Sequence, residues 1–456
     1  MKTSSKDLTQ GNITVQLLLF ALPILVGQIF QNLYNSVDSI VVGQAVGTTA
    51  LAAVSASADI SQLLVGFFTG LSTGAGVLFS RYFGAKDQQN LHDSIHTAIT
   101  FSLLIGVGIA AVGIIFSPGL LKVVNCPEDV YLEALEYLRI YLVGILFTAI
   151  YNVGAGVLRA VGDSRTPFVY LVISSVCNII LDIVLVVWLK MGVSGAALAT
   201  IVSQMLSVVL VFRRMLITQD VYKLVPKDLK IHGKLLKEIL RLGLPAAIQA
   251  CLISFSNVFI QRYINSFGSA AMAGMGAGKK IDRFVGMVAQ CLGLATATFV
   301  SQNLGAGRRD RAFRGIRTVL LFCFGYVLVV GSIVYGFAES LVRIFTTDEA
   351  AIAYGVSMIH VMMPFYFCQA LNQVFANAVR GFGKSLVVML CSITGMIGCR
   401  QLFLAIAMNI SWDIRILYFS FPFGWMCAAG AVMAYYFIVI KRKERKNIPE
   451  EEKTSL

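Results

Sequence analysis

The sequence predicts an all-α polytopic membrane protein, with twelve transmembrane helices in two parallel six-helix repeats. Three observations carry this expectation. Its 456 residues are 57% hydrophobic and 13% charged, with a mean hydropathy of +0.77, whereas soluble domains average about 45–50% apolar and about 25% charged. Apolar runs such as Ile13 to Phe30, Ala98 to Phe116 and Leu320 to Phe337 approach the ~20 residues that carry a helix across ~30 Å of hydrocarbon. Short motifs from the first half return in the second at a nearly constant offset.

Taken in order, the apolar runs place spans near 13–43, 50–80, 91–116, 131–158, 166–190, 193–212, 238–265, 270–301, 315–338, 352–379, 385–409 and 415–440. Residues 1–212 then form an N-terminal lobe (spans 1–6), 213–237 a basic cytoplasmic connector, 238–440 a C-terminal lobe (spans 7–12), and 441–456 a charged cytoplasmic tail. Lys2, Lys6 and Asp7 lead straight into the first span with no small-residue cleavage site, so no cleavable signal peptide is expected.

The duplication is carried by three motifs. Leu22-Pro23 returns as Leu244-Pro245, SRYFGA from Ser80 returns as SQNLGA from Ser301, and Arg159-Ala160-Val161-Gly162 returns as Arg380-Gly381-Phe382-Gly383. From Ser80 onward the offset is 221 residues, and at Pro23 it is 222. Six spans per half is an even number, so both halves enter from the same side and are related by an axis along the membrane normal. Two such lobes suit a transporter.

The formal charge of +13 raises nucleic-acid binding, and its placement argues against it. With both termini inside, 27 of the 37 Lys and Arg lie on the inner side and five (Lys122, Lys190, Arg262, Arg343, Arg415) outside. The other five (Arg139, Lys279, Lys280, Arg283, Arg400) fall within spans. That asymmetry is the positive-inside signature of a multi-pass cell-membrane protein. The nine cysteines form no CxxC and the four histidines no HExxH, so neither a disulfide framework nor a zinc site is expected. No Walker A motif, Gly-rich nucleotide loop or nucleophile-base constellation is present, which argues against direct ATP drive and against an enzyme. No cofactor is expected.

Asp38, Asp59 and Asp182 stand inside apolar spans of the first lobe. A carboxylate there costs about 2.5–3.5 kcal/mol on insertion scales, so it needs a partner, a wet cavity or a function. Two carboxyl groups sharing one site can take up and release a proton, or hold a sodium ion with neighbouring oxygens. Asn178 and Asp182 lie four apart on one helix face, and Gln31 and Asp38 seven apart on another. Thr200 offers a hydroxyl from the sixth span. The alternative for the acids is neutralisation by a base such as Arg139; for Gln31, Asn178 and Thr200 it is helix–helix hydrogen bonding. The repeat is an internal control: positions matching Asp38, Asn178 and Asp182 hold Phe259 or Ile260, Cys399 and Phe403, so the first lobe alone is expected to hold the cation site. Lys279, Lys280, Asp282 and Arg283 form a charged cluster in the eighth span, where a Lys279–Asp282 ion pair is available locally. It serves either as a structural network or as a substrate contact.

The duplicated lobes, the early Leu-Pro pair, SRYFGAKD and SQNLGAGRRDR closing the second and eighth spans, and RAVGD closing the fourth resemble the multidrug and toxic compound extrusion (MATE) family along essentially the whole chain. The resemblance implies a secondary antiporter that expels small organic, often cationic, compounds in exchange for H+ or Na+. Residue by residue, Asp38 with Gln31, Asn178 with Asp182, and Thr200 match the first-lobe cation site of the DinF-type branch, with sodium, where it is the coupling ion, among Asp38, Asn178, Asp182 and Thr200. Asn152 matches a polar residue near that site. The NorM-type branch uses acids inside the seventh and tenth spans, which this sequence lacks. Small organic substrates and the lipid bilayer are the expected partners, and a monomer the expected state. Two rival readings are a flippase for lipid-linked saccharides, which Lys279, Lys280 and Arg283 keep open, and an uncoupled channel or receptor.

Overall fold

The computed structural model describes residues 6–123 and 126–442, apart from the side chains of Ser39, Thr48, Leu51 and Asp59. Twelve helices among them are long and apolar enough to span a membrane. They are α1 (Ile13–Ala45), α2 (Thr48–Gly84), α3 (Gln88–Val123), α4 (Tyr131–Ala160), α5 (Arg165–Trp188), α6 (Gly192–Ile217), α7 (Gly233–Asn265), α8 (Ser269–Gly305), α9 (Arg309–Gly336), α10 (Glu349–Gly381), α11 (Ser385–Ile410) and α12 (Ile414–Lys441). Large apolar side chains face outward, with Ile115 71% and Leu328 72% exposed. Hydrocarbon surroundings make that exposure costless, and the helix satisfies its backbone internally.

The chain divides into two compact units. Among the described residues, the first holds those up to Cys251 together with Ser301–Arg309, and the second holds Leu252–Val300 and those from Asp310 to Arg442. The connector thus belongs to the first unit. It is pinned to α3: the Val225 amide donates to His96 Nε2 at 3.0 Å, His92 Nε2 lies 3.3 Å from Asp228, and the His232 amide donates to Thr97. Those bonds account for the polar histidines at the start of the third span.

In the first unit α4 is central, packed by α2, α3 and α6, while α1 packs on α5. Leu138, Leu142, Ile145 and Ala149 of α4 are wholly buried. In the second unit α12 packs on α10 and α11, with Leu417, Tyr418 and Trp425 in the core.

Two of the repeated motifs acquire structural reasons. Both copies of the Arg-x-x-Gly motif end a helix on a left-handed glycine, Gly162 at φ +83° and Gly383 at φ +78°. Each closes by the same bonds, Gly162 to Arg159 and Asp163 to Leu158, then Gly383 to Arg380 and Lys384 to Val379, the 6→1 and 5→2 closure of a helix C-terminus. SRYFGA and SQNLGA pack on each other reciprocally. A Cβ on Gly84 would lie 2.0 Å from the Gln302 carbonyl, and one on Gly305 would lie 2.1 Å from the Arg81 carbonyl. Arg81 and Gln302 occupy the same place in their two copies.

Candidate functional site

Helix geometry builds the site from α1 and α5. On α1, residues 27, 31, 34 and 38 follow one face, and on α5 residues 171, 175, 178 and 182 do the same. The two faces meet where α1 is smallest: a Cβ on Gly27 would touch Leu171 at 3.3 Å and Phe168 at 3.4 Å. Phe30 also meets Phe168, the two rings tilted with centroids 6.4 Å apart. Further along, the same two faces carry Asp38 and Asp182.

The structure brings Gln31, Asp38 and Asp182 together. Asp38 and Asp182 interact electrostatically, and Tyr34 meets the Gln31 side chain within reach of both acids. Tyr137 of α4 completes the group, in reach of Asp38, Asp182, Tyr34 and Tyr141. Asp182 is 0% exposed and Asn178 1%. Both oxygens of Asp182, both polar atoms of Asn178 and Asp38 Oδ1 have no hydrogen-bond partner among the described residues. Buried polar groups are ordinarily paired, so five such atoms on two helices mark a site. The base Arg139 is turned away, exposed, with Nε 3.3 Å from Ser117 of α3.

A second polar group adjoins this one along α4. Tyr141 is in reach of Gln204 of α6 and of Tyr34. Thr148 Oγ1 donates to Gln204 Oε1 at 2.7 Å. Asn152 Nδ2 donates to the Thr148 carbonyl at 2.9 Å, and Thr69 Oγ1 lies 3.5 Å from Asn152 Oδ1. Asn152 is therefore linked through Thr148, Gln204 and Tyr141 to the face that holds the acids. Thr200 lies one turn before Gln204, but its hydroxyl donates to its own helix at Ala196. The side chain of Asp59 lies outside the described residues.

Sequence reasoning missed Tyr34, Tyr137, Tyr141 and Gln204. Tyr34 was legible, since it sits three residues after Gln31 and four before Asp38 on the same helical stripe. The others come from α4 and α6, and only packing brings them here.

The donor set is two carboxylates, amide oxygens and phenols, without His or Cys. Such oxygens suit a proton or a hard cation. Among the described residues no group of three or more His, Cys, Asp or Glu could hold a metal.

The cluster in α8 belongs to the second unit. Lys279 Nζ donates to Gln261 of α7 at 3.1 Å instead of pairing locally. Asp282 has one buried oxygen without a partner and feels both Lys279 and Arg283. Exposed Lys280 lies 5.1 Å from the Phe345 ring, beyond the short helix Ala338–Arg343.

A family model described as MatE matches residues 23–184 and again 245–406. The probable multidrug resistance protein YoeA of Bacillus subtilis is 29% identical over 460 residues, covering 97% of this chain and 99% of its own. A second protein of that organism, the probable multidrug resistance protein YpnP, is 30% identical over 389 residues, covering 85% of this chain and 86% of its own. The fold is shared with an outward-facing multidrug resistance transporter of the MOP superfamily, at TM-score 0.91 and 22% identity over 98% of this chain and 100% of that one.

Proposed function

The chain belongs to the MatE family, and from that premise we propose that it is a secondary active multidrug efflux transporter. It exchanges organic, often cationic, compounds for H+ or Na+ by alternating access. Asp38 and Asp182 hold the coupling ion, with Gln31, Asn178 and Tyr34 around them. The observation that carries this reading is the fully buried Asp182, both of whose oxygens lack a partner among the described residues, in electrostatic reach of Asp38.

The physics of exchange is competition for charge. Two acids with no fixed base among the described residues are satisfied by an incoming proton or sodium ion, or by the cationic end of a substrate. Occupancy by one lowers affinity for the other, which is the reciprocal coupling an antiporter needs. Thr200 joins the ion's ligands by releasing the Ala196 carbonyl, and Asn152 orders the polar chain behind Tyr141. The transporter acts as a monomer in the cell membrane with both termini inside; the skew of Lys and Arg toward one side supports that orientation.

Purified protein in vesicles with an imposed proton or sodium gradient tests the reading. Asp38→Asn combined with Asp182→Asn is expected to lower gradient-driven export at least tenfold while leaving the protein folded. Export at the wild-type rate would overturn the assignment, and the gradient that drives the native protein identifies the ion.

A further inference from the structure

The fifth helix of each half carries one buried charge against a π-turn. In α5, Asp182 directly precedes the π-turn Ile183–Trp188, and in α11, Arg400 directly follows the π-turn Thr394–Cys399. Such turns widen a helix by a residue and are frequent at functional sites. The repeat does not supply Arg400, because the matching first-half residue is Ile179. It is a feature the second half has on its own.

Arg400 is 3% exposed, and its partners are neutral. Nη2 donates to Ser256 Oγ of α7 at 2.6 Å, while the guanidinium carbon lies 5.4 Å from the centre of the Phe421 ring. Ser256 is shared, since Gln401 Nε2 also reaches its hydroxyl at 3.0 Å and its carbonyl at 3.2 Å. Nε of Arg400 is buried with no partner among the described residues. Asp282, the acid among the α8 charges of this unit, is engaged electrostatically with Lys279 and Arg283. A guanidinium offers five donors in a planar fork and keeps its charge inside proteins. Holding that fork in mid-span against one hydroxyl is expensive unless an anion completes it.

We propose that the second unit contains an anion site centred on Arg400, which takes the carboxylate or phosphate of a transported compound. The anion replaces Ser256 as acceptor and uses the free Nε, giving the two parallel bonds that guanidinium makes with such groups. The inference deepens the transporter reading and rests on it: cargo carrying a negative group beside a lipophilic or cationic body is selected over its neutral ester. A lipid headgroup is a poor source for that anion. Arg400 lies ten residues from Ile410, the nearer end of α11, or about 15 Å of helix at 1.5 Å per residue, whereas headgroup phosphates sit at the membrane surface.

The test is equilibrium binding to detergent-solubilised full-length protein. The probes are an amino-xanthene dye bearing a free benzoate carboxylate and the methyl ester of the same dye. Wild type is expected to bind the free acid more tightly than the ester. Arg400→Gln is expected to weaken the acid by about tenfold or more, the worth of a charged hydrogen bond, and to leave the ester within about twofold. Arg400→Lys recovers part of the loss, because charge remains without the fork. Equal weakening of both dyes by Arg400→Gln, or wild type failing to prefer the acid, overturns the site; the wild-type comparison decides even where the variant does not fold. Displacement of the acid by excess phosphatidylglycerol would reassign the site to lipid and equally overturn it. No ion gradient enters these measurements, so loss of gradient-driven export through Asp38 and Asp182 is read separately.

Discussion

Asp182 occupies a position that stability alone would not select. A carboxyl group enclosed with no hydrogen-bond partner among the described residues, next to a second acid, costs more than a neutral isostere in the same place. Asp182→Asn is therefore expected to leave the melting temperature of detergent-solubilised protein unchanged or higher while removing ion coupling. A lower melting temperature would show that the acid supports the fold. Tyr34 is smaller in its effect. Its hydroxyl bonds with Gln31 and interacts electrostatically with the two acids, and Tyr34→Phe is expected to reduce gradient-driven export severalfold with no change in stability beyond about 1 kcal/mol. These acids were legible in the sequence because a charge inside an apolar run is conspicuous one residue at a time. The phenols were not, because tyrosine at a membrane span has many other uses and nothing local distinguishes Tyr137 or Tyr141.

One close approach of helices in this protein falls where the sequence repeats itself. At Gly84 and Gly305 the ends of α2 and α8 meet with no room for a methyl group. Gly84→Ala must displace the Gln302 carbonyl and is expected to destabilise the first unit by about 1–3 kcal/mol. Gly108→Ala in α3, where an added Cβ meets nothing within 4 Å, is the control and is expected to be neutral or mildly stabilising. Thermal unfolding of the two variants side by side separates a packing role from a propensity effect. The glycines of α2 show the same logic, since a Cβ on Gly74 would lie 2.3 Å from the Gly243 backbone and one on Gly70 2.5 Å from Ala247. Small residues let helices approach closely in lipid, and at these positions the approach is backbone against backbone. At Gly108 and Gly325 it is not, and composition alone could not have told the two kinds apart.

Over the whole chain, the early segment is fastened to elements distant in sequence but within the same compact unit. The Lys6 amide donates to the Val161 carbonyl at the end of α4. The Leu8 amide donates to Gln302 Oε1 at 3.0 Å, Gln302 Nε2 donates to the Ala160 carbonyl at 2.7 Å, and Arg308 donates to the Thr9 carbonyl at 2.8 Å. Gln302 is 0% exposed, so Gln302→Ala strands a buried donor and a buried acceptor at a cost of about 1–3 kcal/mol each. The expected readout is faster protease cleavage ahead of α1. Cleavage also reports orientation: tags on either terminus are expected to be removed by protease in inside-out vesicles and protected in right-side-out ones. Protection of one terminus only would exclude an even number of spans.

The sequence by itself determined that the chain crosses a membrane twelve times, that its halves are copies, and that the first half alone keeps paired acids in its spans. Hydropathy, repetition and stray charge are local properties that survive when the chain is read one residue after another. Tertiary structure decided which of those charges meet. It turned Arg139 toward Ser117, joined Tyr34 and Tyr137 to the acids, drew Lys279 across to Gln261 and left Arg400 on a serine. Those outcomes depend on the rotation of each helix about its axis and on the neighbour it packs against, quantities that no single span encodes.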